Sequence, residues 1–371
     1  MELGLNQEQE ILRDTARNFM KRESPVESLR RLRDQNLPYD QEIWKRLAEM
    51  GWLGVTIPEE YGGASGSFLD LCILMEAMGE VCYSGPFFST VVMGALAVLH
   101  YGSDGQKEKI LPGVASGELI MASAICEPGS WHHPKSLQTV AEPHPGGYRL
   151  SGTKLFVENA HLSETILCLA RTDQGPTVFL VNGRDPAVKS TPMRTLAYEG
   201  HCEVVLDDVR VAPEDVLGEP GQGDEIIEKI THWATAAKCM EMVGCMQTTF
   251  DMTLQHARER VQFGRPIGSF QAVQHHCANM AVELDGARFL SYRAAWLLSQ
   301  GIDAAKEVSM AKAWTGRAAR RVTSLAHQIH GAVAFCDEHN LHFFYRRAKA
   351  AETLFGDTPY HLERIAQMLG L

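Results

Sequence analysis

The sequence predicts an α+β fold in three consecutive parts: helices, then strands, then helices. Apolar residues recur at helical spacing before residue 119 and again after residue 222, whereas the stretch between carries short β-branched runs separated by Gly, Pro, Asp and Asn. The 371 residues allow roughly two or three structural units, each able to bury a core without staples.

The first part, 1–118, opens with Leu5, Leu12, Ala16 and Phe19 near one helical face. Residues 58–63, with Pro58, Gly62 and Gly63, read as a turn. Helices are expected at 69–81 and 91–101, and Pro112 with Gly113 closes the part. The second part, 119–222, has strand character at 148–157, 165–170, 177–181 and 203–211, at a rhythm that suggests two packed sheets. The third part, 223–371, starts where Asp224 and Glu225 suit a helix N-terminus. Long helices are expected to about residue 258, over 270–300 and over 303–330. In the last, Val308, Ala311, Thr315, Ala318, Val322, Leu325 and Ile329 alternate steps of three and four, as in antiparallel bundles.

The formal net charge of −11 argues against a general nucleic-acid binder, which needs a basic face. It leaves room for a small anionic ligand held by a local Arg/Lys cluster. The nine cysteines are scattered, odd in number and without a C-x-x-C pair, which suits the reduced cytosol and small buried apolar side chains. The first ten residues lack a signal peptide's basic and apolar regions, and no apolar run approaches the ~18 residues that span a bilayer. The expected location is the cytoplasm. His132-His133, His275-His276, His327 with His330, and His339 with His342 lack a third ligand at zinc-like spacing, so no metal is expected.

Four segments carry chemistry. Residues 258–274 read as a helix end, a tight turn and a new helix; Arg260, the Gln262 amide and backbone N–H groups together can grip a pyrophosphate, although a plain loop with a capping Arg also fits. The second segment is Gln328-Ile329-His330-Gly331-Ala332-Val333-Ala334-Phe335, the third Ile125-Cys126-Glu127-Pro128-Gly129-Ser130, and the fourth runs from Gly152 to Ala160. In this order they resemble the acyl-CoA dehydrogenase signatures R-x-Q-F-G-x-P-I-x-x-F-Q, Q-x-x-G-G-x-G, T-E-P-x-x-G-S-D and G-x-K-x-[WF]-[IV]-T-N-A. The resemblance covers nearly the whole chain. It implies an N-terminal helical domain, a middle β-domain and a C-terminal four-helix bundle. It also implies FAD, an acyl-CoA substrate and an electron-transfer flavoprotein or similar acceptor. The expected assembly is a homodimer, a homotetramer or a heterotetramer with a related subunit. FAD contacts would fall to Ile125, Cys126, Phe156, Val157, Arg260, Gln262, Phe263, Gln271, Gln328 and Gly331, and Ser130 would help to place the substrate thioester. The chain departs from the pattern at Cys126, Glu158, Ala332 and Ala334.

The family reaction removes an α-proton to a carboxylate and a β-hydride to the flavin, so it needs a Glu in a dry pocket. The usual position in Y-E-G-T holds Phe355, and the second family position, counted back from Gly244, holds Ala234. Glu241 lies seven residues beyond Ala234, about two turns on, and points to a similar side. It is the first candidate base, with an ion pair to Lys238 as the alternative. The run Met240-Glu241-Met242-Val243-Gly244 also resembles the branch acting on steroid side-chain and other cyclic acyl-CoAs, which is often heteromeric. Asp357 is the second candidate base, with a helix cap as its alternative. The expected activity is α,β-desaturation of a bulky, cyclic or carboxylated acyl-CoA. The alternative is a non-oxidising relative: a partner subunit, or an enzyme of this fold doing another acyl-CoA reaction.

Overall fold

The computed structural model describes residues 4–129 and 137–371. Its first helices are α1 (Gln7–Glu23), α2 (Glu27–Asp34), α3 (Gln41–Glu49) and α4 (Phe68–Gly79). A π-helical stretch, Phe88–Ala95, runs into α5 (Leu96–Tyr101), and α6 (Asp104–Ser116) follows. Next come β1 (Met121–Ala124), β2 (Val140–His144), β3 (Gly147–Glu158), β4 (Thr165–Thr172), β5 (Gly175–Asn182), β6 (Val188–Pro192), β7 (His201–Val211) and β8 (Val216–Leu217). The remainder is α7 (Gly223–Glu259), a hairpin of β9 (Val261–Gln262) and β10 (Arg265–Pro266), α8 (Gln271–Ser299), α9 (Ala305–His330), α10 (Leu341–Thr353) and α11 (Thr358–Met368). The helix, strand, helix order is the one the sequence predicts.

The chain divides into two compact units. One gathers Met1–Leu37, Phe68–Tyr83 and Thr235–Leu371; the other joins Pro38–Ser67 to Ser84–Ala234.

In the first unit α9 is the central helix, packed by α8, α10 and α11. Of the stripe expected from sequence, Val308, Ala311, Thr315, Ala318 and Val322 are buried and Leu325 and Ile329 half-buried, and small neighbours such as Gly316 and Ala319 let helices approach. Helix α4 is apolar almost all round and buried from Phe68 to Gly79 apart from Asp70, as a helix enclosed by others must be. The buried carboxylates of Glu76, on α4, and of Glu80, just past its end, are matched with cations and a phenol. Glu80 meets Arg17 at 2.6 Å and Lys21 at 2.9 Å, while Glu76 takes Arg17 at 3.2 Å and the Tyr292 hydroxyl at 2.5 Å. Helices α4 and α7 touch backbone to backbone: a Cβ on Gly79 would collide with the Glu241 carbonyl, and one on Gly244 with that of Glu76.

In the second unit the strands form one eight-stranded sheet, ordered β6-β7-β3-β2-β4-β5-β8 with β1 beside β4. Two separate sheets were expected, but β2 pairs antiparallel with β3 and bridges in parallel to β4 at Val140 and Arg171, which joins the two halves. Inward residues from both halves, among them Leu150, Val157, Ile166, Phe179, Val181, Val204 and Val209, share one core. A second departure concerns Pro112, which lies inside α6 instead of ending it. That helix is started by a Ser103–Gln106 capping box and stopped by Gly117 at φ 79°, so the left-handed glycine is the terminator. The helix expected over 91–101 is π-helical in its first half.

Candidate functional site

The second unit holds the β1 and β3 segments. Leu155 N–H donates to the Cys126 carbonyl at 2.9 Å, which lays the half-buried pair Ile125 and Cys126 along β3. Glu127, next in the chain, is buried with Lys154 at 2.6 Å and accepts from the Gln138 and Thr139 N–H groups at 2.6 and 3.0 Å. Burial opposes its charge, but Lys154 and the amides outweigh burial and hold the Glu127 carboxyl below its usual range.

Strand β3 bulges between Lys154 and Val157, where three steps on β3 face two on β7. Phe156 sits in the bulge at φ 55°, a left-handed conformation that a bulky aromatic rarely adopts. Its half-buried ring is edge-on to the His201 ring, with 6.3 Å between centroids. The Phe156 carbonyl faces His201 Nδ1 at 3.1 Å, and His201 Nε2 faces the Glu199 carboxylate at 3.3 Å. Val157 is fully buried. Glu199 and His201 were not anticipated from sequence. The only local signal is a pair of polar residues two apart just before a predicted strand, which is common in loops.

The other segments belong to the first unit. Helix α7 stops at Glu259, and β9 and β10 form a two-residue hairpin whose central residues, Phe263 and Gly264, have φ of 54° and 79°. Two positive φ values mark a type I′ turn, whose twist suits adjacent antiparallel strands. Phe263, at the tip, is 91% exposed. Arg260, Gln262 and Gln271 are also exposed; Gln262 donates to the Val261 carbonyl at 2.9 Å. Beyond the exposed Gln328, α9 ends at Gly331, whose φ of 68° excludes easy replacement and around which a Cβ would meet nothing within 4 Å. Stacked rings of His256 and His330, 4.3 Å apart, join the ends of α7 and α9, so the hairpin segment and the Gln328–Gly331 segment are neighbours. Burial pushes His330 down to about 4, against its Nδ1 bond to the Ala326 carbonyl, so this ring is neutral near pH 7.

Glu241 is buried on α7, with Lys238 Nζ at 2.7 Å and Arg347 Nη1 at 3.2 Å. Arg347 also donates to the Cys82 carbonyl at 3.3 Å. Ala234 is fully buried. Phe355 is half-buried and left-handed at φ 58°. The following turn is anchored by Lys312, whose buried ammonium donates to the Glu352 and Gly356 carbonyls at 2.8 and 2.7 Å. Burial, against nearby Cys239, Glu352 and Asp357, lowers Lys312 to about 8. Asp357 accepts from Tyr360 N–H at 3.0 Å and so caps α11. Ser130, His132 and His133 lie outside the described residues.

Arg260 with the amides of Gln262, Gln271 and Gln328 is a donor set suited to a pyrophosphate, and the open backbone at Gly331 leaves room for one. The half-buried Phe156 ring offers an apolar face for a planar ring, next to the backbone of the fully buried Val157. Each taken by itself, the first-unit segments suit the pyrophosphate of FAD and the second-unit segment its ring system. Among the described residues, no three His, Cys, Asp or Glu side chains are grouped to hold a metal ion. Among the described residues, no helix is long and apolar enough to cross a membrane. The nine cysteines are free, and Cys336 is exposed rather than buried as expected.

Residues 6–118, 122–209 and 221–370 match the models of the acyl-CoA dehydrogenase N-terminal, middle and C-terminal domains. A 3-(aryl)acrylate reductase of Clostridium sporogenes is 31% identical over 92% of this chain and 92% of its own length. Among solved structures, a glutaryl-coenzyme A dehydrogenase in complex with glutaryl-CoA is 29% identical, with a TM-score of 0.95, over 100% of this chain and 97% of that one. PigA with FAD and proline is 26% identical, with a TM-score of 0.94, over the full length of both chains.

Proposed function

This chain belongs to the acyl-CoA dehydrogenase family, and on that premise we propose that it desaturates a bulky, cyclic or carboxylated acyl-CoA thioester between Cα and Cβ, with Glu241 as the proton acceptor. The chain is a flavin-dependent oxidoreductase with FAD as its cofactor. When bound, FAD supplies the hydride acceptor. In the proposed site Arg260, Gln262, Gln271 and Gln328 hold the pyrophosphate, and Gly331 admits its close approach. Phe263 adds an aromatic face at the hairpin tip. Ile125, Cys126, Phe156 and the backbone of Val157 line the ring system, and Ser130 orients the thioester. Electrons pass on to an electron-transfer flavoprotein or similar acceptor. The proposed assembly is a homodimer, a homotetramer or a heterotetramer with a related subunit, in the cytoplasm, and the proposed domains are 1–118, 119–222 and 223–371.

The observation that carries the assignment of Glu241 is a substitution pattern with a burial pattern. Phe355 and Ala234 occupy both usual base positions, and Glu241 is a buried carboxylate two turns from Ala234. Its sequence surroundings, similar to those of the steroid and cyclic acyl-CoA branch, support the bulky substrate. The same geometry also favours a second reading. Lys238 and Arg347 offset the cost of burying Glu241 and fix it in place, as an anchor of the bundle would require. A chain in which Glu241 is only an anchor would be the non-oxidising partner subunit of a heteromer, or an enzyme doing another acyl-CoA reaction.

The test begins with the flavin content of the purified chain, followed by reduction of its FAD with a panel of acyl-CoA thioesters under a ferricenium-coupled assay. Bulky thioesters should reduce it. Glu241→Gln should keep the flavin and slow its reduction at least ~100-fold, the usual scale for loss of a general base. Reduction of that variant at the wild-type rate removes Glu241 from the chemistry. Asp357→Asn, which keeps a good cap, should then be the slow variant if Asp357 is the base.

A further inference from the structure

We propose that Glu199 and His201 form a charge-paired brace that locks the Phe156 bulge in its left-handed conformation and thereby sets how β3 meets the flavin. The proposal rests on the reading that FAD lies against Phe156 and Val157. Glu199 and His201 act through Phe156 and are positioning residues.

The geometry suits a charged pair. A backbone carbonyl and a carboxylate can only accept hydrogen bonds, yet they face the two ring nitrogens of His201 at 3.1 and 3.3 Å. With Glu199 ionised, both contacts are satisfied at once only when both nitrogens carry a proton. The imidazolium is then bound on one side to Glu199 and on the other to the Phe156 carbonyl. Between Lys154 and Val157 the register slips, and Phe156 lies within that irregular stretch. His201 meets its carbonyl there, and a charge-assisted bond offsets the strain of a left-handed aromatic.

The surroundings agree. Glu199 and His201 are both buried. Burial alone would lower the His201 pKa, but the Glu199 carboxylate, with Glu158 and the Phe156 carbonyl, outweighs it and raises the pKa above 6.5. Glu158 is the charged group facing His201 from β3, in direct register with it. The adjoining 3-10 turn contributes His161, which contacts Cys202, and β6 is followed by the Met193 N–H donating to the His201 carbonyl.

Two variants separate the contacts. In His201→Asn the amide nitrogen stands near the place of Nδ1 and keeps a neutral bond to Phe156, losing Glu199. In His201→Gln the amide reaches Glu199 and leaves the Phe156 carbonyl without its donor. For the flavin-loaded protein the readouts are the FAD dissociation constant, the visible spectrum and the reduction potential. His201→Gln should weaken FAD roughly tenfold, the equivalent of one lost charge-assisted bond, and shift the flavin band; His201→Asn should recover part of both. For the flavin-stripped protein the readout is Tm against pH. A raised folded-state pKa means that the excess stability of wild type over His201→Asn is full below about pH 6.5 and lost as pH rises through the folded pKa. Glu199→Gln, close in shape, should abolish that excess, and it serves if the His201 variants do not fold. Folded variants with wild-type FAD affinity, spectrum and potential overturn the proposal. A pH-independent Tm difference in a protein that binds FAD normally overturns the brace alone. A wild-type chain that binds no FAD overturns the reading of the site and the flavin part of the proposal, and the Tm profile then decides whether the brace exists.

Discussion

A carboxylate can be buried beside an ammonium at tolerable cost only if its remaining lone pairs are used, and Glu127 meets that condition with Lys154 and two backbone amides. Lys154→Met should therefore destabilise the protein by about 3–5 kcal/mol in urea unfolding, because it strands a buried charge. The pH dependence has a definite sign. The Glu127 carboxyl is held below its ordinary 4.5 in the folded state, so its contribution is present above that value and lost as pH falls through the lower, folded pKa. At this scale, legibility depended on sequence distance. The Lys238–Glu241 contact was open to inspection because helical neighbours three apart share a face. Arg347, 106 residues from Glu241, was not. Glu199 and His201 left only a signal common in loops, since their meaning depends on a bulge in another strand.

Among elements, the crossing of α4 and α7 is the most exacting. Gly79 and Gly244 let two backbones touch, so Gly244→Ala should cost at least about 1–3 kcal/mol, the usual range for overpacking, read as a lower Tm. Gly244→Ala tests packing without touching any proposed flavin contact. Strands β3, β4, β5 and β7 were readable because they carry short β-branched runs bounded by Gly, Pro, Asp or Asn. The short β1, β2, β6 and β8 were not. Strand β1 is Met-Ala-Ser-Ala, and β2 and β6 contain Pro143 and Pro192, which argue against a strand until the neighbouring ladder is known. Pro112 misled in the opposite direction, because a proline reads as a stop although the capping box upstream and Gly117 downstream set the limits of α6.

On the scale of the molecule, the helix, strand, helix order could be read from periodicity, but the grouping into units could not. The first unit is assembled from three separate stretches of chain, and nothing in local sequence announces that residues 68–83 will join helices beyond residue 235. This has a consequence in time. Helix α4 leaves the ribosome apolar on nearly every side and carrying Glu76 and Glu80, while Gly244 and Tyr292, against which it is built, are still untranslated. At about 5–20 residues per second the wait is on the order of ten seconds or more. During synthesis α4 is thus an orphan that must be shielded, by early partners such as Arg17 and Lys21 on α1 or by chaperones. A nascent chain halted before residue 235 should be the form of this protein most prone to aggregate, and arrested ribosome complexes probed by proteolysis would show α4 becoming protected only after α8 has emerged.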